Sequence, residues 1–158
     1  MPRLTSWLSL SALIVLLDQA TKYWILQVVH YGQNIAVTPF FDLVLVYNPG
    51  AAFSFLSDAS GWQRWFFIVL ALGISVWLIV LLRRHAQENL LPLALALILG
   101  GAIGNVIDRF AYGAVVDFLS FHAGRFTWPA FNVADSAITV GALLMVWSQF
   151  QPRQPRVQ

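Results

Sequence analysis

Two aspartates stand where an ionised carboxylate is expensive. Asp135 lies in FNVADSAITVGA, residues 131–142, one turn into a stretch that then runs apolar. A carboxylate at the centre of a membrane helix costs roughly 2.5–3.5 kcal/mol on insertion scales. Asp117 lies in YGAVVDFLSF, among Val, Phe and Leu rather than the Gly, Ser and Asn that usually surround a solvated loop aspartate. The two are 18 residues apart, near the same ends of two apolar segments, so the chain between them can bring them together. Two carboxylates in one poorly solvated site cannot both ionise easily, and one keeps a proton near neutral pH. A neutral acid beside an ionised one is the aspartic-protease arrangement. One member activates water, while the other polarises a carbonyl and helps protonate the leaving amine. The structural alternative for Asp135 is a helix start, with Asn132 as cap and an acid placed favourably in the first turn.

Further polar residues gather near the pair. Asn132, Asp135, Ser136 and Thr139 recur at i, i+3, i+4 and i+7, a single helix face. In GGAIGNVIDRF, Gly101, Asn105, Asp108 and Arg109 share another face. Packing explains Gly100 and Gly104, and an Asp108–Arg109 pair would neutralise itself at a helix end. Neither explains an asparagine in the last membrane turn. Asp18 and Lys22 are spaced i,i+4 in the favourable order, which predicts an intrahelical ion pair. Lys22 is the only lysine, and an acid one turn away keeps it protonated, which argues against a serine–lysine hydrolase. The chain has no cysteine and no His-Glu-x-x-His, and His85 falls at the opposite end from the aspartates, so neither a metal nor another cofactor is expected.

These residues need a scaffold, and the composition points to a membrane one. The 158 residues are 59% apolar and 10% charged, against roughly 25% charged in soluble domains. Four stretches approach the ~20 residues of helix that cross a bilayer: about 6–28, 64–82, 89–107 and 132–150. The first has no small-x-small cleavage site and continues into DQATKYW, so a retained helix is expected rather than a cleaved signal peptide. Four spans put both termini on one side with Arg3, Arg83, Arg84, Arg153 and Arg156, leaving Lys22, Arg64, Arg109 and Arg125 opposite. The bare arginines in short loops favour cytoplasmic termini. Six of the seven acids then lie toward the outer face, and Glu88 alone lies inside. The outer loop, about 29–63, contains FFDLVLVYN, rich in β-branched and aromatic residues. The expectation is a single domain over 1–158: an all-α polytopic protein with four transmembrane helices and a small periplasmic β element between the first two. No basic stripe with interleaved aromatics suggests nucleic-acid binding.

Several separated boxes resemble one known family, the bacterial lipoprotein (prolipoprotein) signal peptidases, or signal peptidase II. They are DQATK from Asp18 to Lys22, NPGAAFSF from Asn48, GGAIGNVIDR from Gly100 to Arg109, VVDF with Asp117, and PAFNVADS with Asn132 and Asp135. Their order and spacing cover nearly the whole chain. The resemblance implies an aspartic endopeptidase of the bacterial inner (plasma) membrane, needing no metal, with its active site near the periplasmic face. It would cleave diacylglyceryl-modified prolipoproteins just before the lipidated cysteine. Asp117 and Asp135 would be the catalytic pair. Asn48, Gly50, Asn105, Arg109 and Asn132 would position substrate backbone or the aspartates, with Asp18 and Lys22 in support.

Two other readings compete. A small proton- or cation-translocating protein also uses buried carboxylates, but a relay places polar groups through the whole depth of the bundle. Here they concentrate in the outer third, which suits a substrate arriving within the bilayer. A scaffold whose polar residues only glue helices together leaves the one-sided placement of the acids unexplained.

Overall fold

Many large apolar side chains point out of this molecule, while several charged ones are buried inside it. Leu16, Val69 and Leu143 are 66%, 69% and 67% exposed, whereas Asp18 and Asp108 are 0% exposed. In water that arrangement would be unstable; in hydrocarbon it is what satisfies both kinds of group. The computed structural model describes residues 2–50 and 60–150. Residues 51–55 of the NPGAAFSF box, Asp58, Arg153 and Arg156 therefore lie outside the described residues.

The element order is α1 (Pro2–Val28), β1 (Asn34–Thr38), β2 (Phe41–Asn48), α2 (Trp62–His85), α3 (Leu90–Tyr112), β3 (Val115–Ala123), β4 (Phe126–Thr127) and α4 (Val133–Ser148). Helices α1, α2 and α3 are long and apolar enough to cross a membrane. Helix α4, at 16 residues, is apolar but shorter than the 132–150 expected, about 24 Å at 1.5 Å per residue. Helix α3 outruns its expected end at 107 and reaches Tyr112, because Asp108 and Arg109 find partners inside the bundle. Pro92 falls in its first turn, where no helical hydrogen bond is lost.

Helix α3 is the hub and packs against the other three. Leu78 and Leu82 of α2 meet Leu95 and Leu99 of α3 in one apolar cluster. A second cluster joins Ile25 and Val29 to Leu45, Val116 and Phe118, seating the sheet on the end of α1. At the other end of α1, Arg3 and the Trp7 indole N–H donate to the carbonyls of Gln87 and Ala86 in the α2–α3 turn.

Close approach to α3 depends on glycines. A Cβ on Gly104 would sit 2.6 Å from the Asp18 carboxylate, and one on Gly101 would overlap the Ala134 carbonyl oxygen. The small-residue spacing read from Gly100 and Gly104 does serve packing, with both facing α1.

The β element differs from expectation. It is a four-stranded antiparallel sheet of order β1-β2-β3-β4, and only β1 and β2 come from the segment between α1 and α2. Strands β3 and β4 come from between α3 and α4, so two distant loops build one sheet. The Val-Val-x-Phe-Leu-x-Phe run around Asp117 has the β-branched and aromatic character of a strand, and its partner is β2. The register sets Val46 opposite Asp117 and Asn48 opposite Val115.

Replacing Gly101 with alanine should push α4 off α3, because the added methyl meets backbone rather than a movable side chain. A loss of about 1–3 kcal/mol is the usual scale of such overpacking. Thermal unfolding in detergent would show it; an unchanged midpoint would mean that α4 does not press on Gly101.

Candidate active site

Each aspartate is delivered by a different element. Asp117 is the third residue of β3 and is held in register by β2. Asp135 is in the first turn of α4. What joins them is Phe131 and Asn132. Phe131 pairs with Leu119 through backbone hydrogen bonds of 3.0 and 2.8 Å, which pins the start of α4 against β3. The next residue, Asn132, is fully buried and caps α4: its side-chain oxygen accepts the Asp135 N–H at 2.8 Å. Its amide nitrogen donates to Asp117 Oδ1 at 2.7 Å. Asn132 is therefore the cap of α4, as its position suggested, and the Asp135 carboxylate is left for other work.

The carboxylates are held from further sides. Asn48 donates to Asp117 Oδ2 at 3.2 Å, and its own oxygen accepts the Gly50 N–H. Asn105 donates to Asp135 Oδ1 at 2.8 Å. Arg109 donates to the Gly50 carbonyl at 2.8 Å and lies 5.1 Å over the Phe67 ring, clamping the 48–50 turn against α3. Asn48, Gly50, Asn105, Arg109, Asp117 and Asp135 all line one cleft of about 760 Å³. Ser136 and Thr139 extend its wall along α4, so the polar stripe faces the cleft.

Behind the cleft is a second, closed layer. Lys22 pairs with Asp18 at 2.8 Å, as the i,i+4 spacing predicts, and also with Asp108 at 2.7 Å. Asp108 thus turns to α1, and the expected self-neutralising pair with Arg109 gives way to an interhelical one. Gln19, which the sequence reading passed over, donates 2.9 Å to Asp108 and 3.2 Å to Asp18. Among the described residues no trio of His, Asp, Glu or Cys side chains is grouped to hold a metal ion.

Burial first, and then the charge of Asp135, pushes the Asp117 carboxyl up to about 7. The hydrogen bonds from Asn48 and Asn132 pull the other way but do not offset this. Below that pH Asp117 holds a proton. Ionising both members would put two charges in one poorly solvated pocket. Two carboxyls that cannot both ionise easily, lining one open cleft, are the parts needed for water-mediated amide hydrolysis.

Residues 10–151 match the family model described as "Signal peptidase (SPase) II". A lipoprotein signal peptidase of Azoarcus sp. (strain BH72) is 62% identical over 145 residues, covering 92% of this chain and 82% of that protein. Another, of Burkholderia ambifaria (strain MC40-6), is 57% identical over 148 residues, covering 94% and 89%. Among solved structures, one described as "Bacterial membrane enzyme structure by the in meso method at 2.3 A resolution" superposes with a TM-score of 0.82. It is 28% identical and covers 96% of this chain and 95% of that one. A second, described in the same words at 1.9 A resolution, gives 0.77 at 28% identity, with 94% and 95% covered.

If the charge of Asp135 helps hold the proton on Asp117, Asp135→Asn should lower the Asp117 pKa while burial keeps it above the ordinary 3.8. Carbon-13 titration of the labelled Asp117 carboxyl reads this directly. A titration midpoint identical in variant and wild type would separate the two groups electrically.

Proposed function

This chain belongs to the signal peptidase II family, and from that premise we propose that Asp117 and Asp135 are the pair with which it removes signal peptides from prolipoproteins. The protein is an aspartic-type protease and a membrane protein; nothing in its relatives supports the transport reading. The observation that carries the residue assignment is Asn132, whose one side chain touches the carboxylate of Asp117 and the backbone of Asp135 beside an open cleft.

In this mechanism the ionised Asp135 takes a proton from a water lying between the carboxyls. The water oxygen attacks the carbonyl carbon of the residue before the lipidated cysteine. Protonated Asp117 donates to the carbonyl oxygen as negative charge develops there. The C–N bond then breaks, and the cysteine nitrogen takes a proton from the pair. The products are a signal peptide with a new carboxylate and a lipoprotein with a free amine. Asn105 and Asn132 hold the carboxyls in place, while Asn48, Gly50 and Arg109 form the wall against which the substrate backbone lies.

Four spans, with α4 as the short one, put both termini in the cytoplasm and the cleft near the periplasmic face of the inner membrane. Supporting this, Arg83, Arg84 and the start of α1 lie at one end, and the sheet with Asp117 and the start of α4 with Asp135 lie at the other. The exposed apolar faces of α1, α2 and α4 meet membrane lipid, and the cleft receives a diacylglyceryl-modified peptide bond; nucleic acid has no place in this scheme.

Asp117→Asn and Asp135→Asn should each abolish cleavage of a lipidated prolipoprotein while the protein remains membrane-inserted. Wild-type cleavage by either variant would remove that residue from the pair. The rate should fall as pH rises through about 7, where Asp117 loses its proton. A flat profile across neutrality would contradict a shared proton. A chelator should leave the rate unchanged, and equal cleavage of lipidated and unlipidated substrate would sink lipid recognition.

A further inference from the structure

The buried layer behind the cleft has a connectivity that reaches both aspartates. Lys22 is 2% exposed and has three N–H donors, and each has its own acceptor: Asp18 at 2.8 Å, Asp108 at 2.7 Å and the Asn105 side-chain oxygen at 3.1 Å. Each acceptor then reaches toward the pair. Asp18 Oδ1 accepts the Ala134 N–H at 2.9 Å, one residue before Asp135. Asp108 Oδ2 accepts the Val116 N–H at 3.0 Å, one residue before Asp117. An ammonium can only donate, so it faces the Asn105 oxygen and leaves the Asn105 NH₂ for Asp135. Gln19 ties the two supporting carboxylates together, and its NH₂ also lies 3.2 Å from the Gly104 carbonyl.

We propose that Asp108 and Gln19 are positioning residues for the hydrolysis: with Asp18 and Lys22 they form a buried jig that sets the separation of Asp117 and Asp135. The inference rests on the assignment of those two aspartates as the catalytic pair. Asp108 never lines the cleft and does not reach substrate; it works through the peptide that carries Asp117. A local electrostatic account alone leaves a pattern unexplained. Neutralising Lys22 needs one carboxylate, and Asp18 supplies it from the same helix. The second carboxylate comes from α3, and besides Gln19 each accepts the amide next to a cleft aspartate.

The experiment measures kcat and KM per folded molecule, on a lipidated prolipoprotein, for Asp108→Leu, Asp108→Asn and Gln19→Leu. Asn keeps an oxygen for the Val116 N–H, whereas Leu of similar size does not. Misplacement by an ångström costs on the order of a hundredfold in rate. Asp108→Leu should therefore lose about that much kcat, with KM within about twofold of wild type. Asp108→Asn should recover about tenfold of the loss, and Gln19→Leu should lose roughly fivefold. A residue needed only for folding would change yield and melting temperature, with equal kcat per folded molecule in the Leu and Asn variants. That equality would overturn the proposal, as would wild-type kcat in Gln19→Leu, which decides the matter if the Asp108 variants do not fold. Asp117→Asn and Asp135→Asn run alongside. If they stay active, the pair assignment fails; if they are inactive while Asp108→Leu is unimpaired, only the jig fails.

Discussion

One ammonium between two carboxylates holds this site together. Lys22 lies in a protein interior, where an unpaired charge would be untenable and even a simple ion pair returns little. With two carboxylates and an amide oxygen around it, every donor is used. The carboxylates in turn have backbone N–H partners and Gln19, so the cluster is saturated rather than half-satisfied. Three elements are thereby locked at one level: α1 through Asp18 and Lys22, α3 through Asp108 and Asn105, and the start of α4 through Ala134. The open cleft, by contrast, leaves carboxylate capacity on Asp117 and Asp135 unspent. A closed, fully hydrogen-bonded layer thus lies behind an open one, and through Ala134 and Val116 it fixes the backbone beside both acids.

The glycines of α3 belong to the same design. Because side chains are absent at Gly101 and Gly104, α4 and the Asp18 carboxylate lie directly on α3. The sheet then supplies what helices alone cannot. Strand β3 presents Asp117 at a set depth, and the Phe131–Leu119 bridge fixes α4 to it. Polar precision at the centre thus depends on the absence of atoms at one place and on extended backbone at another.

Much of this was legible beforehand because expensive residues announce themselves. Asp117 and Asp135 could be picked out by their apolar surroundings, and Asn132 by its position at the start of an apolar run. The Asp18–Lys22 pair could be read from spacing alone. Asp108 was misread for a physical reason: an acid next to an arginine in sequence looks neutralised, yet adjacent residues on a helix diverge by about 100° and favour different partners. Gln19 carried no cost signal, since a neutral amide near a helix end is ordinary. Strand β3 was hidden because its partner β2 lies far away in the chain, and a strand's identity depends on the neighbour that completes it.

The contact between Asp18 and Ala134 also bears on how the molecule is made. Its two residues are 116 positions apart, and those of the Asn48–Asp117 contact are 69 apart. Helix α1 therefore carries a charged pair whose partners are made later, with α3 and then α4. During biogenesis α1 must wait in the bilayer with its charges only internally paired. Contacts of such sequence separation form late and slowly. The closed layer behind Asp117 and Asp135 is accordingly complete only when the start of α4 has docked onto α1.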